Sequence, residues 1–239
     1  GGHTGIEKKN AQEATKIIGE SYYVKEYIYK VYGVLAEVNY LGVNTVNFRP
    51  LGLERKNSVL SVGGIDPMKR FDEVIEALGS IDKDKRPSFT IVTSRNTSSA
   101  YYTFLMELAK QKGVTVSLLM NIDDEEICRI YNESLMMVFV PLMEPFGLVV
   151  LEAMACGTPV IGVREAGLRE IIKDGMGILV ERDTKALAHA IESLSSDRER
   201  YEKIRTNALS YVREQWTWGS TIDGLEKHLK AAINKKRDA

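Results

Sequence analysis

Two carboxylates eight residues apart, Glu144 and Glu152, carry the clearest chemistry in the sequence. Pro145-Phe146-Gly147 separates the first from a helical stretch that begins at Leu148. Backbone N–H groups at a helix start are free to receive an anion, and the macrodipole favours one there. Gly147 has no side chain to obstruct that approach. Glu152 lies in the second turn, among Val149, Val150, Leu151, Ala153, Met154 and Ala155. A helix apolar nearly all round is a buried one. A carboxylate there needs hydrogen-bond donors, because burying it unpaired is costly. A vicinal diol such as a ribose supplies two; the alternative is a rim Glu paired with Arg or Lys.

A second constellation is SVGGIDPMKR, residues 61–70. Gly63-Gly64 allows close backbone approach, Asp66-Pro67 marks a turn, and Lys69 can bring a point charge to a phosphate. The alternative for Lys69 is a surface cation at a helix start. The segment is neither G-x-G-x-x-G nor a P-loop, so it supports no dinucleotide fingerprint.

Elements must hold these loops in place. From residue 58 onward, short apolar runs alternate with amphipathic stretches. The runs are VLSVG (59–63), FTIVTS (89–94), VTVSLL (114–119), LMMVFV (135–140), TPVIGV (158–163) and GILV (177–180). They are continuous rather than alternating, which suits strands buried on both faces of a parallel sheet. Helical patterns fall at 71–78, 101–112, 124–132, 148–155 and 167–173, then at 184–194, 197–215 and 219–233. The alternation predicts an α/β fold with a doubly wound, Rossmann-like parallel sheet over 59–215, followed by a crossover helix over 216–239. Ligands bind beyond the carboxyl ends of such strands, where both constellations lie.

The first fifty residues fit this unit less cleanly. KIIGES (16–21) reads as a strand entering a helix over 22–31 that Ser21 caps, and VLAEVNYLGV (34–43) as a further strand. Residues 1–48 are therefore expected to be the remnant of an N-terminal domain with its hinge, and 49–58 a linker. GGHTG, with His3, reads as a cloning scar, and Lys235-Lys236-Arg237 as a solvated tail. His189 and His228 sit in helical patterns and are given no site role.

Composition narrows the function classes. Lys+Arg total 32 against 33 Asp+Glu, which argues against an electrostatic nucleic-acid binder. The longest apolar stretch, 135–143, is nine residues and includes Pro141, short of the about 20 that a helix needs to cross a bilayer. Cys128 and Cys156 form no framework and no C-x-x-C, so a reducing, cytoplasmic setting is expected.

EPFGLVVLEAMACGTPVIG resembles the E-x7-E signature of the group 1 (family 4) glycosyltransferases, the glycogen-synthase-like enzymes of GT-B fold. The neighbouring segments agree in order. SYYVKEYIYKVYGVLAEVNYLGVNTVNFRP resembles the family's hinge approach, and SVGGIDPMKRFDEVIEAL its phosphate loop and following helix. EAGLREIIKDGMGILVERD resembles its G-G-x-x-E-i-i-x-d-G segment, and Trp218 matches an F-S-W near the last helix.

The resemblance implies roles. Glu144 would contact donor-sugar hydroxyls, and amides around Phe146, Gly147 and Leu148 would hold the sugar and distal phosphate. Glu152 would bind the ribose, Asn121 and Ile122 would flank the base, and Gly63 and Gly64 would line the phosphate loop. Lys69 would neutralise the departing diphosphate. No cofactor or metal is implied, so Asp82-Lys83-Asp84 reads as a polar loop and Asp123-Asp124 as a helix start. The implied partners are a UDP- or GDP-hexose and a glycan or lipid-linked acceptor held by an N-terminal domain. Polysaccharide biosynthesis and peripheral membrane association of a full enzyme belong to the same expectation. Three departures stand out. Gly64 replaces a usual Arg, leaving Arg70 as the adjacent cation; Ala166-Gly167 replaces Gly-Gly; and Asn44 replaces the hinge Asp.

The leading expectation is thus the donor half of a retaining hexosyltransferase. The competing one is a non-catalytic nucleotide-sugar-binding module that needs a partner chain. A nicotinamide oxidoreductase fails for want of a fingerprint; related GT-B epimerases and phosphorylases would need acid–base residues or a cofactor lysine not found here. Trp216, Trp218, Leu225 and Leu229 are expected to form an exposed apolar patch.

Overall fold

The computed structural model describes residues 3–93 and 100–237. Ser94, the side chain of His3 and those of residues 235–237 lie outside this set, and with them the readings of GGHTG and of the basic tail.

The chain opens with α1 (His3–Glu13), β1 (Ile18–Gly19), α2 (Tyr22–Tyr32) and β2 (Glu37–Val38). The strands pair in parallel, Ile18 opposite Glu37 and Gly19 opposite Val38. Ser21 caps α2 by accepting from the Val24 amide, as its position suggests. Residues 3–13 are helical, and one reading needs correction: only Glu37–Val38 of the 34–43 run is strand. Asn39 and Gly42, within that run, turn instead to the final helix.

The main sheet contains β3 (Lys56–Val62), β4 (Ser88–Thr93), β5 (Val116–Met120), β6 (Ser134–Phe139), β7 (Val160–Val163) and β8 (Ile178–Val180). All pair in parallel, in the order β5-β4-β3-β6-β7-β8. Strand β3 starts at Lys56, so residues 56–58 of the expected linker belong to the sheet. Leu60, Ile91, Met136, Met137 and Val160 are fully buried, which is why their runs lack a polar alternate.

Helices α3 (Phe71–Ser80) and α4 (Ala100–Lys112) pack together, and α8 (Thr184–Ser196) joins α3. A second group forms from α5 (Asp124–Glu133), α6 (Leu148–Ala155) and α9 (Arg198–Gln215). The sheet is thus covered on both faces, with α7 (Leu168–Ile171) as a short connector and α10 (Trp218–Arg237) last. The chain runs β3, β4, β5 toward one edge, then returns to place β6 beside β3 and continues to β8. The loops after β3 and β6 therefore leave adjacent strands in opposite directions, which opens a crevice between them.

Helix α10 docks against the leading segment. Asn39 Nδ2 donates to the Thr221 carbonyl at 3.1 Å, and His228 Nε2 lies 3.3 Å from the Val38 carbonyl. A Cβ on Gly42 would stand 2.3 Å from the Thr217 carbonyl carbon, so the two backbones meet there. Trp216 is buried among Tyr40, Phe146 and Tyr211, which removes it from the expected apolar patch. Trp218, Leu225 and Leu229 are exposed, joined by Ile222 and Ile233. No helix among the described residues is long and apolar enough to cross a membrane.

Candidate functional site

Past β3, Asp66 accepts from the Met68 amide at 2.7 Å and caps a single 3-10 turn, Pro67–Lys69. This turn aims Lys69 across the crevice, where its Nζ lies 2.8 Å from Glu144 Oε2. The ammonium also sits 5.4 Å from the Phe139 ring centroid. A Cβ on Gly63 would approach the Lys69 stem to 3.3 Å. Gly63 thus leaves room for Lys69, while Gly64 faces open space. Arg70 is turned away, its Nη2 2.8 Å from Glu73 and 3.1 Å from Asp72.

The Glu144 loop is held by backbone. The Leu142 amide donates to the Met68 carbonyl at 2.8 Å, joining the two loops directly. The Gly167 amide donates to the Glu144 carbonyl at 3.0 Å, and Ser21 Oγ to the Pro145 carbonyl at 2.7 Å. A Cβ on Gly167 would fall 2.3 Å from the Pro145 oxygen, so this contact requires glycine. Gly147 precedes α6 with φ 99°, and a Cβ there would meet Leu168 at 2.9 Å. Phe146 is buried against Tyr40 and Trp216, so its side chain anchors the loop while Leu148 begins the helix. The amides of Leu148 and Val149 belong to the first turn, whose donors an α-helix leaves without internal partners.

Glu152 is half-buried, and burial raises its pKa above the ordinary carboxylate value. Its hydrogen bond among the described residues comes from neither Arg nor Lys: Tyr131 Oη donates to Oε2 at 2.9 Å. Sequence reasoning missed this tyrosine. The signal was two unmet demands, a phenol on the apolar face of α5 and a carboxylate in an apolar helix. Cys128 and Cys156, separate in sequence, are buried thiols with Sγ atoms 3.8 Å apart. Burial raises the Cys156 pKa, which keeps it a protonated packing group.

Arg182 was also missed. It donates to the carbonyls of Val140 and Pro141 at 3.0 and 2.8 Å, and its Nη1 reaches Glu73 at 2.7 Å. Glu165 completes the cluster through two 2.8 Å hydrogen bonds. These bonds hold the Glu165 pKa below the usual carboxylate range. One guanidinium thus ties α3 and the segments after β6, β7 and β8 together. Glu170 does similar work on α7, accepting from the Tyr22 and Tyr23 amides and from Tyr40 Oη.

Asn121 and Ile122 follow β5, at the sheet edge three strand spacings from β6, or about 14 Å. Arg70, Asn121, Met143 and Ala166 are the non-glycine residues with left-handed φ among those described. All four lie in loops at the carboxyl edge of the sheet, where such backbone strain accompanies function. Asp82 Oδ1 accepts from the Asp84 amide within a turn, and Asp123 caps α5, as expected of both. Among the described residues no three His, Cys, Asp or Glu side chains are grouped as a metal site.

A family model described as glycosyl transferases group 1 matches residues 43–211. D-inositol 3-phosphate glycosyltransferase of Rhodococcus erythropolis is 32% identical over 212 residues, covering 81% of this chain and 48% of that protein. The chain spans about half the length of the curated relatives it matches. Among solved structures, sucrose-phosphate synthase from Thermosynechococcus elongatus superposes with a TM-score of 0.83 at 26% identity, covering 96% of this chain and 62% of that one. Anabaena HepE, solved with UDP and glucose, gives a TM-score of 0.83 at 20% identity over 94% of this chain and 67% of its own. The fold is the Rossmann-like arrangement of GT-B glycosyltransferases.

Proposed function

The chain belongs to the glycosyl transferases group 1 family, and on that premise we propose that it is the nucleotide-sugar-binding half of a hexosyltransferase. The observation that carries the reading is the Lys69–Glu144 pair, set in the crevice between β3 and β6 and against the start of α6. A nucleoside diphosphate sugar offers each partner a replacement. Its phosphates are anionic and suit Lys69, and its sugar hydroxyls are donors that suit Glu144. The Leu148 and Val149 amides receive the distal phosphate with the helix dipole behind them. Glu152 takes the ribose, Gly63 and Gly64 border the phosphates, and Asn121 and Ile122 flank the base.

In transfer, the bond between the anomeric carbon and the diphosphate oxygen breaks, and its electron pair leaves with that oxygen. Lys69 and the α6 start stabilise the charge as it develops, without a metal. An acceptor hydroxyl then bonds to the anomeric carbon and gives up its proton to the departing diphosphate oxygen. Retention of configuration rests on the family resemblance. The donor is a UDP- or GDP-hexose; HepE, solved with UDP-glucose, supports the uridine form. The acceptor is a glycan or a lipid-linked sugar, met by a second domain of which residues 1–48 are the trailing part. A cytoplasmic enzyme associating with a membrane surface fits that acceptor class.

A second reading is a binding module without turnover. It is favoured by Gly64, which brings no charge, and by Arg70, which is spent on Asp72 and Glu73. Calorimetric titration with UDP, GDP and their glucose and mannose conjugates tests both readings. Saturable binding that Lys69→Ala and Glu152→Ala weaken supports the donor site; no binding to any of these ligands overturns it. Release of hexose from the bound conjugate, alone or with an acceptor domain supplied, separates enzyme from module.

A further inference from the structure

Tyr131 is fully buried on α5, and its position is fixed from several sides. Its carbonyl accepts from Thr158 Oγ1 at 2.6 Å and from Arg55 Nη1 at 2.9 Å. Arg55 is itself pinned, donating further to the carbonyls of Ser134 at 2.8 Å and Gly157 at 2.7 Å. Phe48 meets the Tyr131 ring edge-on, at 6.0 Å between centroids and an interplanar angle of 76°. The one polar group of this locked side chain ends on Glu152 Oε2 at 2.9 Å.

Resting on the donor-site reading, we propose that Tyr131 is a positioning residue that orients the Glu152 carboxylate for a ribose diol and so sets selectivity for ribonucleotides over deoxyribonucleotides. A free glutamate on an apolar helix would turn about its side-chain torsions and lose conformational freedom on binding. The phenol removes that freedom in advance by holding one oxygen, and Oε1 is left to accept from the diol. Burial raises the Tyr131 pKa, so the hydroxyl keeps its proton and acts as a donor to the carboxylate. A donor on one oxygen also favours the ionised form, which accepts from both ribose hydroxyls. Arg55 and Thr158 act one step further back, by fixing the backbone that carries the ring.

The test is affinity of the 239-residue chain for UDP and GDP against their 2′,3′-dideoxy forms, in wild type, Tyr131→Phe, Glu152→Gln and the double variant. Tyr131→Phe removes one oxygen and leaves the ring, and a thermal melt checks that each variant folds. The expected result is a loss of about tenfold or more in ribonucleotide affinity, in line with a hydrogen bond to a charged group. Dideoxy affinity should change less than twofold, and Tyr131→Phe should add nothing once Glu152 is Gln. Equal loss for both nucleotide types, or no loss, overturns the positioning role while leaving the donor site intact. A wild-type chain that binds neither nucleotide overturns the donor reading and this inference with it. Should Tyr131→Phe not fold, Thr158→Val supplies the same comparison through the Tyr131 backbone anchor.

Discussion

Lys69 and Glu144 are 75 positions apart in sequence and 2.8 Å apart in space, so each neutralises the other across the crevice. On the proposed donor-site reading, a sugar nucleotide would exchange this one pair for two separate contacts. Glu144→Gln should therefore leave UDP affinity unchanged or raise it, because Lys69 is released, while the preference for UDP-glucose over UDP falls. Lys69→Met should lower affinity for both by about tenfold, the scale of a hydrogen bond to a charged group. Paired titrations of the two ligands read this directly.

Glu152 titrates higher than an ordinary carboxylate because it is buried. Nucleotide affinity should fall with acidification at a pH above the usual carboxylate range, and Glu152→Gln should abolish that dependence. Stability runs the other way. With its folded pKa raised, this group favours folding when protonated, and that contribution is lost as pH rises through the folded value. Glu152→Gln should then raise Tm at neutral pH by a few degrees while binding weakens, which calorimetry in both modes would register.

Ala166 and Gly167 should respond oppositely to exchange. Ala166 sits at φ 45°, where a Cβ costs about 1–2 kcal/mol. Ala166→Gly should gain part of that back, netting about 0.5–1 kcal/mol after the extra freedom of the unfolded glycine. Gly167→Ala places a Cβ 2.3 Å from the Pro145 oxygen and should cost about 1–3 kcal/mol. It should also displace Glu144 and lower sugar-nucleotide affinity. Denaturant melts of the two single variants suffice.

Arg182 braces the Glu144 loop from behind. Arg182→Met leaves the Val140 and Pro141 carbonyls without their donor and should cost about 1–3 kcal/mol. Its partner Glu165 has a lowered pKa, so the pair's stabilisation is present at neutral pH and lost as pH falls through the folded value. Wild type should approach the stability of the variant in acid, and urea midpoints across pH would show the two curves converging.

On α10, Trp218, Ile222, Leu225 and Leu229 are exposed at helical spacing. The 239-residue chain should self-associate at high concentration, and Leu225→Glu with Leu229→Glu should restore a monomer in sedimentation.

The six-stranded sheet was legible because its central strands β4, β3, β6 and β7 are largely buried and so read as unbroken apolar runs, with the edge strands β5 and β8 following the same pattern although they are only partly buried. Helix α6 was legible to its boundaries, since Gly147 and Cys156 flank an apolar block. Lys69, Glu144 and Glu152 stood out because charges beside such runs need a reason. Their partners did not. Tyr131 and Arg182 act through atoms that only the fold brings near, and a tyrosine on an amphipathic helix looks like any core residue. Strand 34–43 was overread because Tyr40 is held by the Phe146 and Trp216 rings and Asn39 by the Thr221 carbonyl rather than by a ladder. Trp216 was misplaced for a like reason: its burial comes from Tyr40, 176 positions earlier.

The hydroxyl of Ser21 on the Pro145 carbonyl, with Glu170 gripping the start of α2, gives the chain an internal boundary for protein engineering. Trimming helix α1 should leave the crevice intact, but a cut beyond Ser21 would remove one anchor of the segment that carries Glu144. Grafts of this domain into related family members should accordingly be joined ahead of residue 17, so that the graft travels with its own clasp.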